Sequence, residues 1–213
     1  MVECPILFSG PMVRAILDGR KTRTRRVVKP QPTRAFGSVL DWLDWGVEPE
    51  QQRYGFRSLD QTWACSYGGP HSRLWVREAW RTLRCYDDLP GSKLDHSVPI
   101  QYEADHAIRN WPKRQTSPLG RYRHARFMPH WAFRLTLEVT AVRVERLQEM
   151  TFDDWVADFC PSYTEQEKAR ATFHGWDNQR AMAKAFWDSL NEKRGFGWET
   201  NCWAWVISFR KFG

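Results

Sequence analysis

The sequence lacks the features that would commit it to a membrane, a disulfide scaffold or a metal. No apolar run approaches the length of a membrane span. The opening Met1-Val2-Glu3-Cys4-Pro5 has neither a basic segment nor a long apolar stretch, so no signal peptide is expected. Five cysteines are present, Cys4, Cys65, Cys85, Cys160 and Cys202. Their odd number, wide spacing and lack of any C-x-x-C pair point to free thiols in a reducing cytoplasm, not to a disulfide framework. The six histidines form no H-x-x-x-H and no Cys/His zinc pattern, so neither a metal nor another cofactor is called for. Internal repeats and low-complexity tracts are also missing.

What remains is an ordinary globular composition. Of 213 residues, 42% are hydrophobic and 15% aromatic, enough buriable surface for a folded domain without staples. The net charge of +7 favours a polyanionic partner, and its distribution says more than its size. Arg20, Lys21, Arg23, Arg25, Arg26 and Lys29 crowd one stretch without an acid. Arg109, Lys113, Arg114, Arg121, Arg123, Arg126 and Arg134 crowd a second, interleaved with Trp111, Tyr122, Phe127, Trp131 and Phe133. Arginine forks grip phosphates and aromatic faces stack on unpaired bases, so this mixture suits single-stranded or flipped nucleotides. Between Glu145 and Glu167, by contrast, seven acids face the single Arg146. Two readings follow. The arginines contact nucleic acid, RNA more than DNA, or they pair with the acidic segment of their own chain.

Local patterns outline the elements. Ile6-Leu7-Phe8 reads as a first strand. Pro11 suits a first helical turn, Met12, Val13, Ile16 and Leu17 recur at helical spacing, and Gly19 fits the stop. Val27-Val28 closes a short strand before Pro30 and Pro32. Leu74-Trp75-Val76 and, more weakly, Val98 to Tyr102 are further strands, whereas residues 86 to 125 carry no clear period and read as a long loop region. Trp131 to Glu145 alternates cleanly, with Phe133, Leu135, Leu137 and Val139 against Arg134, Thr136, Glu138 and Thr140, until the phase slips near Thr140, which predicts a bulge. Thr151-Phe-Asp-Asp154 is a capping box, and Thr164-x-x-Glu167 opens another helix. Met182, Ala183, Phe186, Trp187 and Leu190 form a helical stripe, and Trp203 to Phe209 is apolar on both faces, hence a buried strand. The sum is one α+β domain over residues 1–213, a small mixed β-barrel with peripheral helices and two long insertions near 33–72 and 86–125.

Several of these segments together resemble the ASCH domain family. They are Gly19-Arg-Lys-Thr-Arg-Thr-Arg-Arg26 after a short helix, Leu74-Trp-Val-Arg-Glu78, Leu137-Glu-Val-Thr140 and the closing Trp-Val-Ile-Ser-Phe. The match is nearest a larger phage- and prophage-associated subgroup, although Arg126-Phe-Met-Pro-His-Trp-Ala132 stands where much of that subgroup has Ile-His-Met-Pro-Arg-Trp-Ala. The resemblance implies a PUA-like barrel and chemistry on nucleic acid or nucleosides. Small members of the family are amidohydrolases of N4-acetylcytidine that use a Lys, a Thr and a Glu. By resemblance these fall on Lys21, Thr24 and Glu138. Arg77 and Glu78 are placed at the cleft in the same way, with Glu78 lining its pocket, the alternative being a structural ion pair; Trp75 either lines that pocket as a ring that stacks on a base or belongs to the core.

Physical chemistry constrains this triad. A threonine hydroxyl attacks an amide only when a base takes its proton, and a lysine is a base only when neutral. The arginines around Lys21 disfavour its charged form, a nearby carboxylate favours it, and the balance depends on burial. Residues 21 and 24 would lie on opposite faces of a straight strand, so the triad requires a bend between them. The competing readings are a module that binds nucleic acid through Arg20, Arg23, Arg25, Arg26, Arg77, Arg121, Arg123 and Arg126 without turnover, or a ribonuclease with the same grip. In these, Lys21 and Thr24 belong to a phosphate-gripping loop and Glu138 is the cross-strand partner of an arginine.

Overall fold

A computed structural model of the chain describes residues 3–32, 55–57, 62–114, 117–159 and 175–213. Trp42, Trp45, Cys160 and the Thr164-x-x-Glu167 helix start lie outside the described residues. The architecture is mixed α+β. A five-stranded sheet runs in the order β1-β5-β9-β10-β2, built from β1 (Glu3–Leu7), β2 (Arg23–Val27), β5 (Arg73–Arg77), β9 (Thr136–Arg146) and β10 (Trp203–Phe212). β1 runs parallel to β5, and the other pairs are antiparallel. A hairpin of β3 (Gly55–Arg57) with β4 (Thr62–Ala64) and a small sheet of β6 (Trp80–Arg81), β7 (Ile100–Tyr102) and β8 (Ile108–Arg109) complete the strands described.

Helix α1 (Gly10–Leu17) joins the two outer strands of the order, β1 and β2. Pro11 sits in its first turn, where no intrahelical N–H is lost, and Met12, Val13, Ala15 and Ile16 turn to the core. Gly19 ends it at φ +72°, a left-handed position that suits a residue without Cβ. The N–H groups of Arg20 and Lys21 both donate to the Ala15 carbonyl, which bends the chain directly before β2. The required bend therefore exists, and it places Lys21 apart from the strand's alternation.

The longest strands behave as their patterns predict. On β9, Leu137, Val139, Val142 and Val144 are buried. Ser208 pairs with Ala141 and Phe209 with Val139, so Thr140 is the extra residue of a bulge, and the apolar phase changes there. Residues 131–135, read from sequence as the start of this strand, instead form a 3-10 turn at His130–Ala132 and an extended lead-in. Residues Trp203 to Ile207 of β10 are buried throughout. One side of the sheet and α1 enclose the main core, whereas Trp155, Ala183, Trp187, Trp198 and Ala204 form a second core under α2 (Phe152–Phe159) and α3 (Gly175–Asn191).

The stretch read as a long loop carries its own core. Trp80, Leu94, Val98, Ile100, Tyr102, Met128 and Ala132 cluster around the small sheet. Its central strand falls within the weak Val98–Tyr102 pattern, whereas the two-residue strands on either side are too short to produce a period in sequence. Among the described residues no helix is long and apolar enough to cross a membrane.

Candidate functional site

The first basic stretch turns inward. Residues 24 and 26 share one face of β2, and residues 23 and 25 share the other. On the second face α2 supplies acids. Its capping box forms as predicted: the Thr151 hydroxyl donates to Asp154 Oδ2 (3.0 Å) and the Asp154 N–H donates to Thr151 Oγ1 (3.2 Å). The Asp154 carboxylate also accepts from Arg23 (2.5 Å) and Arg143 (2.8 Å) and lies 3.3 Å from Arg25. Burial pushes this carboxyl up, but Arg143, Arg25 and Thr151 outweigh burial and hold it well below the usual carboxylate range.

Asp158, one turn further along α2, reaches Lys21. The Lys21 ammonium donates to Asp158 Oδ1 (2.7 Å) and to the Asp158 carbonyl (2.5 Å), while Arg25 lies 3.3 Å from Oδ2. Arg25 is fully enclosed and also pairs with Glu145. Lys21 is only 2% exposed. Burial lowers its pKa, Arg26 and Arg25 act in the same direction, and Asp158 opposes without prevailing. Burial is thus the larger of the competing effects, and the Lys21 pKa lies below its ordinary value.

On the first face, Thr24 is buried and its hydroxyl accepts from Arg26 Nη1 (3.0 Å). Arg26 is held in place by the Leu7 carbonyl (2.9 Å) and by its stacking over Phe8, 5.4 Å from the ring centroid. Lys21 Nζ lies 5.7 Å from the same centroid, so Phe8 links the lysine and threonine halves of the site. A cavity of about 1070 Å³ opens beside them, lined by Phe8, Thr24, Arg26, Asp158 and Tyr122 among others. Its only acid among the described residues is Asp158, against Arg25, Arg26, Lys29, Arg126 and Arg194.

Glu138 does not belong to this site. Thr24 is paired with Ile207, which faces the core, whereas Glu138 is paired with Arg210 beyond the bulge and faces outward. Its carboxylate accepts from Arg210 (2.8 Å) and lies 3.3 Å from His71. The Arg210 bond, with help from His71 and against slight burial, lowers its pKa. The cross-strand reading is the one observed, and the carboxylate that meets Lys21 is Asp158. Two signals for this were present in the sequence. Glu138 alternates with buried Leu137 and Val139, and Asp158 stands four residues after the capping Asp154, hence on the same helix face.

The remaining candidates divide. Glu78 is 1% exposed and forms a two-pronged pair with Arg134 (2.7 and 2.9 Å), which also binds Asp105, so it braces the small sheet and does not line the cavity. Burial raises the Glu78 pKa against the pull of Arg134. Trp75 is buried against His130 and Phe133, with Arg77 over its ring. Arg77 donates to the Met128 carbonyl (3.1 and 3.0 Å), and Arg123 is buried with its guanidinium on the Leu89 and Tyr86 carbonyls (2.8 and 2.6 Å). Arg20 pairs with Asp18 (2.7 Å). Of the eight arginines assigned to nucleic acid, Arg23, Arg25, Arg77 and Arg123 are therefore bound up within the fold. Arg121 and Arg126 are exposed, and Arg26 faces the cavity.

No protein-family model matches the chain, and neither a curated protein nor a solved structure matches it. The case for a function is therefore made by the residues and their geometry.

Proposed function

We propose that the chain is an ASCH-like, PUA-like protein acting as an amidohydrolase on N4-acylated cytosine, with N4-acetylcytidine as the reference substrate. The observation that carries this reading is the buried Lys21 with a lowered pKa, held on Asp158 and sharing the Phe8 ring with Arg26, whose guanidinium bonds the Thr24 hydroxyl at the wall of a nucleoside-sized or larger cavity. Two features favour the PUA-like barrel: α1 joins β1 to β2, and the Arg26 side chain bridges from β2 to the end of β1.

In this reading neutral Lys21 takes the proton of the Thr24 hydroxyl, and Oγ1 attacks the acetyl carbon. Arg26, 3.0 Å from Oγ1, stabilises the negative charge that develops there. The C–N bond then breaks, and the Lys21 ammonium returns its proton to the departing N4 amine. Water hydrolyses the threonyl acetate, which releases acetate and restores the hydroxyl. Asp158 orients Lys21 and accepts its hydrogen bonds throughout. The base must be neutral, so the rate rises with pH and levels off below the ordinary lysine value of about 10.4.

The test is release of cytidine from N4-acetylcytidine followed by chromatography. Thr24→Ala and Lys21→Ala are expected to lower kcat by roughly a thousandfold or more. Undiminished turnover in both variants removes the mechanism. No turnover of the base as nucleoside, nucleotide or oligonucleotide removes the reaction.

A further inference from the structure

Residues 121–128 form a strap whose Tyr122, His124, Ala125 and Arg126 make part of the cavity wall. It is not a loose loop. The Trp80 N–H donates to the Arg123 carbonyl (3.1 Å) and the Arg123 N–H to the Trp80 carbonyl (2.9 Å). The buried Arg123, Ala125 and Met128 anchor it from below, and the Met128 carbonyl accepts from Arg77. The His124 ring caps its single turn by accepting from the Arg126 N–H (3.2 Å). These fastenings leave Arg121, Tyr122, His124, Arg126 and Phe127 pointing outward from a fixed backbone.

Two of those side chains are aromatic and stay in water, Tyr122 at 52% exposure and Phe127 at 63%. Each carries an arginine near its ring: Arg81 lies 5.8 Å from the Tyr122 centroid and Arg126 lies 5.4 Å from that of Phe127. Tyr122, His124 and Arg126 also line the cavity, which Lys29 and Arg194 border from elsewhere in the chain. Acids near the strap are already engaged, Asp87 by the Arg121 N–H and Glu103 by Arg81. The cavity is at the upper end of what drug-sized ligands fill, so a single nucleoside leaves much of it vacant.

From this juxtaposition we infer that the site takes its base from within a single-stranded polynucleotide. The modified base enters the cavity toward Thr24. Neighbouring bases stack on Tyr122 and Phe127, and Arg121 and Arg126 hold the flanking phosphates. Unpaired bases are required because a duplex does not offer their faces to the rings. The inference rests on the proposed deacylation only for which base is chosen, since the strap's grip is independent of turnover.

The experiment uses a fluorescent single-stranded 12-mer with one N4-acetylcytosine, made as RNA and as DNA, together with the matching duplex. Anisotropy is expected to show tighter binding of the single strands. Phe127→Ala, at an exposed position that folding does not need, should weaken binding roughly tenfold, the loss of about one stacked base. Arg126→Ala should reduce the slope of log affinity against log salt by about 0.7. kcat/KM for the oligonucleotide should exceed that for the free nucleoside, and the ratio should collapse toward one in Tyr122→Ala/Phe127→Ala. Absence of oligonucleotide binding at low salt, equal binding of duplex, or affinity indifferent to all these variants overturns the inference, even if the nucleoside is hydrolysed. Strap-dependent binding without turnover of any substrate upholds it while the deacylation reading falls. The RNA and DNA arms show which sugar is preferred.

Discussion

The two arginine-rich stretches resemble each other in sequence and differ completely in use. In the first, Lys21, Arg23 and Arg25 meet Asp158, Asp154 and Glu145, so half of its six cations are neutralised inside the molecule, while Arg26 and Lys29 face the cavity. In the second, Arg109, Arg123 and Arg134 are spent on backbone carbonyls, Glu78 and Asp105, and the arginines between them stay exposed. The difference comes from what faces each stretch. A five-residue strand covered by an acidic helix has its cations collected. An irregular strap with a buried anchor every two or three residues keeps every intervening side chain outside. Neither net charge nor the length of a basic run reports which will occur.

The sharpest way to probe the first region is at Asp158. Asp158→Asn keeps the shape but removes the charge that orients Lys21, and it should lower kcat roughly a hundredfold. It should also shift the rising limb of the pH profile to lower pH, because Asp158 is the group that favours the Lys21 ammonium. A profile that does not move separates Asp158 from the base.

Asp154 tests the same region through stability. Asp154→Ala removes the carboxylate half of the capping box and leaves the enclosed Arg25 short of a partner, at a cost of about 3 kcal/mol in a denaturant titration. The folded Asp154 pKa lies below the unfolded one, so this stabilisation is complete above about pH 4 and disappears as pH falls toward the folded value. Wild type and variant stability curves should therefore converge in acid.

The contrast between Arg123 and Arg121 tests the second region. Arg123→Ala removes two charged hydrogen bonds to carbonyls and should cost about 2 kcal/mol. Arg121→Ala, two positions away and exposed, should leave the melting temperature unchanged and lower only the affinity for the oligonucleotide.

How much of this was readable in advance follows from which interactions are local. The α1 stop at Gly19, the capping box at Thr151, the bulge at Thr140 and the buried Trp203–Ile207 segment depend on neighbours in sequence, and the patterns identified them. The central strand of the small sheet, Ile100–Tyr102, shows weakly in the pattern, but its neighbours Trp80–Arg81 and Ile108–Arg109 are too short for a period. Lys21 and Thr24 are both buried and Thr24 lines the cavity, but the Lys21–Asp158 bond spans 137 positions and no local pattern states it. The family-based assignment of Glu138 overrode the chain's own alternation, which already set that residue on the outer face.

Glu138 thus supplies the control with the smallest expected effect. Glu138→Gln breaks an exposed pair with Arg210 and a contact with His71, on the face opposite Thr24. Exposed pairs contribute little because water screens them, so the melting temperature should hardly move. Cytidine release should continue at the wild-type rate and with the same pH profile, in direct contrast to Asp158→Asn. A large loss of kcat in Glu138→Gln with the fold intact would reverse the order of the two carboxylates. It would mean that the outer face of β9, with Arg73 and Arg210 on either side of Glu138, takes part in the reaction.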